Sequence, residues 1–310
     1  MKLGTRQSRL ALTQSGMVAR ALGPDVVLVG IDTEGDRIVD APLVGPLAKG
    51  FFTEALESAL RGGTIDLAVH SLKDVPVEDA AGLTLAATPP RELPNDILLV
   101  RADAWDDEGA LPLRPGARVG STSARRQTLL RAWGRGLDVV PLRGNVTTRV
   151  ERLKAGKFDA IVLAEAGLRR LGAFVAGGEV DLTGVRLLRL DLHAWPCAPG
   201  QGSLAVQCRL SDATARARIG TLHDGPTQAA VTQERQWLAR LGGGCTIPFG
   251  AWVSGEDWAF VLDTGRGATL RAGTGLASGT AALDAVIAGA DPSPASPLGP
   301  RIGEEVHVDA

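Results

Sequence analysis

Residues 65–78 read IDLAVHSLKDVPVE. An apolar run ends in a polar cluster of Ser71, Lys73 and Asp74, just ahead of Pro76. Short, nearly continuous apolar runs of this kind mark strands buried on both faces. They recur at 26–31, 83–88, 96–100, 137–142 and 158–164. Between them the apolar period changes to that of helices: 8–21, then 52–61 with Phe52, Leu56 and Leu60 on one face, then 123–133. A further helix begins behind Asn145 with Val146, Val150 and Leu153 aligned. Such alternation predicts α/β architecture with mostly parallel sheets.

Two proline-rich joints interrupt the pattern, ATPPRELPND at 87–96 and HAWPCAPGQGS at 193–203. They predict two α/β lobes, about 1–92 and 97–189. The remainder reads differently. A helix with Pro226 in its first turn runs to the Gly242 triplet. The short runs FGAWV, WAFVLD and ATLRAG then suggest an antiparallel meander, and an Ala-rich helix follows near 280–290. This predicts a small α+β third domain over 213–310, with Cys245 in the loop before its first strand, and a loose surface segment at ADPSPASPLGP.

At 310 residues the chain can bury a large core without disulfides. Its three cysteines, Cys197, Cys208 and Cys245, show no C-x-x-C spacing and have no clustered histidines. Neither a disulfide framework nor a metal site is expected, and a reducing compartment fits best. The opening MKLGTRQSRLALTQSG lacks a long apolar core, and no apolar run approaches the roughly 18 residues of a membrane span. A cytoplasmic protein without a membrane partner is expected. The formal net charge of −2 offers no bulk attraction for nucleic acid. Any anionic ligand must be met locally.

Local cations are mostly arginine. Part of that excess reads as compositional bias, since the chain has no Tyr and only Asn95 and Asn145 as asparagines. Their positions are more informative. In VGSTSARRQ (119–127), Ser121, Thr122 and Ser123 precede a helix with Arg125 and Arg126 in its first turn. In LRGNVTTR (142–149), Arg143 and Gly144 precede an Asn145 cap, and Arg149 follows. Arg6 and Ser8 repeat the pattern at the first helix. Helix starts supply free N–H groups and a positive dipole end, so these are either ordinary caps or a polyanion site. Ligands of open α/β sheets collect at the carboxyl ends of strands, which makes a cleft between the lobes the expected site.

Lys73 and Asp74 read either as a strand-end ion pair or as a working pair, with Asp74 stabilising a cation and Ser71 and Lys73 holding an anionic arm. Lys49 in GPLAKG either reaches a ligand or is solvated. Cys245 trails a helix C-terminus, whose dipole disfavours a thiolate, and has no His or Lys beside it in sequence. The flanking glycines give it room. That suits either a small buried hydrophobe or a thiol that carries a covalent group.

The segments TRQSRLAL, TEGD, AKGFFTEALE, IDLAVHSLKDVP, GSTSARRQ, LRGNVTTR, FDAIVLAEAGLRRLG, PGQGSLAVQCR and GGGCTIPFG fall in order across residues 3–250. Together they resemble the porphobilinogen deaminase (hydroxymethylbilane synthase, EC 2.5.1.61) family. The resemblance implies two lobes like those of type II periplasmic binding proteins plus a domain with an antiparallel sheet, and it sends 193–209 back to complete domain 1. It implies a cytoplasmic monomer of tetrapyrrole biosynthesis that condenses four porphobilinogen molecules head to tail with loss of ammonia. The implied cofactor is a dipyrromethane joined by a thioether to Cys245. By the same resemblance Asp74 is catalytic. Lys49, Ser71, Lys73, Ser121, Ser123, Arg125, Arg126, Arg143 and Gly144 bind the cofactor. Arg6, Ser8, Phe52, Arg149, Arg170 and Gln201 bind substrate. Where members read T-R-G-D, this chain has TEGD, with Glu34 in place of a cation. A solute-binding module of the same two-lobed form would leave Cys245 without a task, and a phosphate-ester enzyme lacks its G-x-x-x-x-G-K-[ST] loop here.

Overall fold

The computed structural model of the chain describes residues 1–32, 53–175, 177–244, 247–289 and 302–308. Two compact units emerge, Met1–Glu92 with Gly200–Gly244, and Leu93–Pro199 with Cys245–Ala310.

The first unit is built on a five-stranded sheet of order β2-β1-β3-β10-β4. Its strands are β1 (Lys2–Arg6), β2 (Val27–Ile31), β3 (Leu67–Ser71), β4 (Leu83–Ala87) and β10 (Leu204–Arg209). β1 runs parallel to β2 and β3, whereas β10 lies antiparallel between β3 and β4. Alternation along β3 explains its continuous apolar run: Leu67 and Val69 enter one core with Leu3, Val206 and Ile219, and Ala68 enters another with Leu56, Leu60 and Ile65. Helices α1 (Arg9–Leu22), α2 (Glu54–Arg61), α6 (Ala213–Gly220) and α7 (Gly225–Arg240) belong to this unit. Asp224 caps α7, accepting from Thr227 N at 2.8 Å.

The second unit carries a six-stranded sheet of order β14-β9-β5-β8-β6-β7. The strands are β5 (Asp96–Arg101), β6 (Arg118–Gly120), β7 (Asp138–Val140), β8 (Ala160–Ala164), β9 (Val185–Leu190) and β14 (Gly303–Val306). β6 pairs in parallel with β7 and β8, while β5, β8, β9 and β14 pair antiparallel, so both large sheets are mixed rather than mostly parallel. Helices α3 (Ala124–Trp133), α4 (Val146–Lys154) and α5 (Glu165–Arg170) follow β6, β7 and β8. A separate antiparallel meander, β11 (Phe249–Ser254), β12 (Asp257–Asp263) and β13 (Ala268–Thr274), precedes α8 (Leu276–Ile287). Leu129 and Trp133 of α3 share one core with Leu98, Val119, Trp195 and Val261. The segment expected to be loose, 290–300, lies outside the described residues.

Candidate active site

In the first unit, β3 ends at Ser71 and passes into a single 3-10 turn, Leu72–Asp74. Leu72 is buried against Ala205 and Val231, and its backbone N donates to Ser203 O at 3.0 Å. Gly200 is required beside it: its φ is +75°, and a Cβ there would lie 3.0 Å from Leu72 Cγ. The chain therefore leaves the sheet with Leu72 pinned and Asp74 half-buried. Among the described residues the Asp74 carboxylate makes no hydrogen bond or ion pair. Lys73 Nζ instead donates to Oε1 of buried Gln201 at 3.2 Å. Gln14 Nε2 donates to Ser71 Oγ at 3.0 Å. Arg6 closes β1, and Ser8 caps α1 by accepting from Ala11 N at 3.4 Å.

His70, just before this turn, is buried with its Nε2 3.0 Å from Gln207 Oε1. Its pKa is lowered to about 4, chiefly by burial and to a lesser degree by the Arg6 charge, with the hydrogen bond to Gln207 opposing the change.

In the second unit, β6 ends at Gly120, and the turn behind it opens α3. Ser121 Oγ accepts from Ser123 N at 3.3 Å, and Ser123 Oγ accepts from Arg126 N at 3.4 Å. Arg125 and Arg126 do not project into solvent; they are 4% and 7% exposed. Arg126 grips the fully buried Asp96 with two bonds, from Nη2 at 2.7 Å and Nε at 3.1 Å, and Arg125 Nη2 adds a third at 2.8 Å. Trp195 Nε1 also donates to Asp96 Oδ2 at 2.9 Å. The other arms reach backbone, Arg125 Nη1 to Pro196 O and Arg126 Nη1 to Val162 O, both at 2.9 Å. Two guanidiniums against one carboxylate leave the cluster with one net positive charge. Burial pulls the Arg125 pKa below its usual value, while Asp96 pulls it up.

The second helix start is more open. Asn145 Oδ1 accepts from Thr148 N at 2.9 Å, and Arg149 Nε donates to Gly144 O at 2.7 Å. Gly144 has a φ of +108°. Arg143 and Arg149 are half-buried, as is Arg170 in the last turn of α5. Cys245, Lys49, Phe52 and Glu34 lie outside the described residues. The turn leading to Cys245 is described as far as Gly244: a Cβ on Gly243 would lie 2.7 Å from Val77 Cγ2, whereas at Gly242 and Gly244 it would meet nothing within 4 Å. The approach to Cys245 thus runs against the Asp74 loop on a backbone with open space around it. Among the described residues no group of three or more His, Cys, Asp or Glu side chains is placed to hold a metal ion.

Asp96, Trp195 and Arg235 do not stand out in the sequence. The available signal for Asp96 is a carboxylate opening an otherwise apolar strand. For Arg235 it is the one-turn spacing from Val231 on α7.

The fold and these turns define an α/β protein suited to an anionic ligand, with a half-buried carboxylate at a strand end. Sequence comparison narrows the class. Residues 1–217 match the family described as porphobilinogen deaminase, dipyromethane cofactor binding domain. The porphobilinogen deaminase of Nocardia farcinica is 42% identical, covering 99% of this chain and 85% of that protein. Those of Syntrophotalea carbinolica and Mycobacterium tuberculosis are 43% and 44% identical, each over 81% of this chain and 77% of theirs. The chain belongs to the porphobilinogen deaminase family. It carries the family activity, hydroxymethylbilane synthase (EC 2.5.1.61), which acts on porphobilinogen in tetrapyrrole biosynthesis with a dipyrromethane cofactor.

Resemblances at lower identity are found among solved structures. The VFT2 domain of Bordetella pertussis BvgS has a TM-score of 0.40 at 15% identity over 76% of this chain and 91% of that one. A Brucella ovis periplasmic binding protein with glutathione bound has 0.41 at 13% identity over 71% and 65%. Among the described residues no helix is long and apolar enough to cross a membrane.

Proposed function

We propose that Asp74 is the catalytic carboxylate and that Cys245 carries the dipyrromethane through a thioether. The observation that carries this reading is the Asp74 turn: a half-buried carboxylate without a partner among the described residues, beside the glycine turn that leads to Cys245. The donor set fits the cofactor, which needs cations and hydroxyls for its carboxylates and an anion for its pyrrole N–H groups. When bound, it supplies the nucleophilic pyrrole carbon on which the product chain is built.

Ammonia leaving porphobilinogen takes the C–N bonding pair and strands positive charge on the methylene carbon and its pyrrole. Asp74 accepts from the pyrrole N–H and stabilises that charge, which is greatest as the bond breaks. Because Asp74 spends no bond on Lys73, whose Nζ is directed to Gln201, its charge remains for the substrate. Ser71, Lys73 and Gln201, with Arg6 and Ser8, hold acetate and propionate arms of substrate and cofactor. Ser121, Ser123, Arg143, Gly144, Arg149 and Arg170 serve the same purpose in the second unit, and Lys49 and Phe52 complete the set. Arg125 and Arg126 contribute the net positive charge of their buried cluster. A monomer is the family expectation, and a cytoplasmic location is supported by Cys197 and Cys208, which are buried and form no disulfide among the described residues, as suits a reducing compartment.

Asp74→Asn keeps the shape and removes the charge. Turnover is expected to fall at least ~100-fold while the variant still carries its cofactor. Steady-state assay with intact-mass analysis checks both, and parent-like turnover would remove Asp74 from this role.

A further inference from the structure

Arg235 lies one turn after Val231 on α7, so the two side chains share a face. Val231 packs on Leu72. Arg235 takes hold of the backbone of the same loop: Nη1 donates to Val75 O at 2.9 Å and to Leu72 O at 3.5 Å, and Nη2 donates to Pro76 O at 2.6 Å. These carbonyls bracket Asp74, one before it and two after. Within the turn, Val75 N donates to Leu72 O at 3.1 Å. Ser203 and Gly200 hold the start of the turn at Leu72, and α7 holds the carbonyls on both sides of Asp74.

Only arginine suits this position. A planar fork with five donors can serve three divergent carbonyls, whereas an ammonium concentrates its donors at one point. Desolvation pulls the Arg235 pKa below its usual value, and Asp79 and Glu78 pull it up. A cation kept in a desolvated place is costly unless its bonds are used. Among the described residues, the hydrogen bonds of Arg235 all go to the loop that carries Asp74.

We propose that Arg235 is a positioning residue for the reaction: through the carbonyls of Leu72, Val75 and Pro76 it sets the direction of the Asp74 carboxylate. The inference rests on the assignment of Asp74 above. It also gives α7 two tasks, since the helix ends in the glycine turn that leads to Cys245, and Gly243 of that turn lies against Val77.

The test uses purified holoenzyme with Arg235→Lys and Arg235→Gln, each alone and combined with Asp74→Glu, which retains a carboxylate. Misdirecting a catalytic group by an ångström costs up to about 100-fold, so kcat is expected to fall roughly 10- to 100-fold, with Lys between the parent and Gln. KM for porphobilinogen stays within about two-fold, because no substrate contact is removed. In the Asp74→Glu background the Arg235 substitutions cost less than about three-fold, because residues acting through one another are not additive. A merely structural role would lower stability without producing that coupling. Parent-like kcat in Arg235→Lys, or a full multiplicative loss in the double variants, overturns the proposal. If Arg235→Gln fails to fold, the lysine cycle alone decides. Failure of the Asp74 assignment is read separately, from Asp74→Asn.

Discussion

At the scale of single residues, the strand that leads to Asp74 buries a histidine, His70, whose pKa is lowered by that burial. His70 is 6% exposed, and its pKa is lowered to about 4 from the usual 6.5. Above pH 6.5 the ring is neutral in the folded and unfolded chains alike and contributes no pH dependence. Between pH 6.5 and 4 only the unfolded chain takes up the proton, so stability is lost as pH falls through that window. The loss amounts to about 3 kcal/mol, since each pH unit between the unfolded and folded pKa is worth about 1.36 kcal/mol. Urea unfolding at pH 7 and pH 4 should show this loss in the parent and a smaller one in His70→Gln; equal losses in the two proteins would contradict it. The helix caps were legible in the sequence, because Ser8, Ser123 and Asn145 satisfy donors only three residues away. The fates of Arg125 and Arg126 were not. Their partner Asp96 lies 29 and 30 positions away, and only the tertiary fold brings the first turn of α3 to the start of β5.

At the scale of elements, Asp96 joins the start of β5 to the first turn of α3 and, through Trp195, to the chain that follows β9. Removing its charge strands two buried guanidiniums. Asp96→Asn should destabilise the protein by about 3–5 kcal/mol, and chemical denaturation resolves that readily. A change below about 1 kcal/mol would mean that solvent or the neighbouring carbonyls already neutralise the pair. Strands with continuous apolar runs, such as β3, β5 and β8, were readable because both of their faces are buried. β9 and β14 were not. Arg186 and Arg189 interrupt β9, and GEEV of β14 is polar. Their pairing is supported by Arg186 with Glu305 and Arg189 with Glu304 across the ladder, a cross-strand match that no local window contains. Antiparallel pairing of β5 with β8 and β9 was hidden for a related reason: burial on both faces reads the same in parallel and mixed sheets.

At the scale of the whole molecule, the chain leaves the first sheet after β4, builds the second and returns with β10 to pair between β3 and β4. That return brings Ser203 and Gly200 to Leu72, so the Asp74 turn is assembled from segments about 130 residues apart. Helix α7 then grips the turn through Val231 and Arg235 and ends in the glycines before Cys245. One continuous stretch of chain thus holds the turn that carries Asp74, the proposed catalytic carboxylate, and leads to Cys245, the proposed cofactor carrier. The apolar runs foretold the sheets, but the order of strands depends on long-range pairing, and the return of β10 came from family likeness rather than from periodicity. The central claim is that the thiol of Cys245 is a carrier and not a nucleophile kept free. Intact-mass spectrometry of the purified parent and of Cys245→Ser tests it most directly. The parent should show an adduct of dipyrromethane mass, and the variant should show the bare chain without activity. An active parent with no adduct, or the same adduct on the serine variant, would contradict the account.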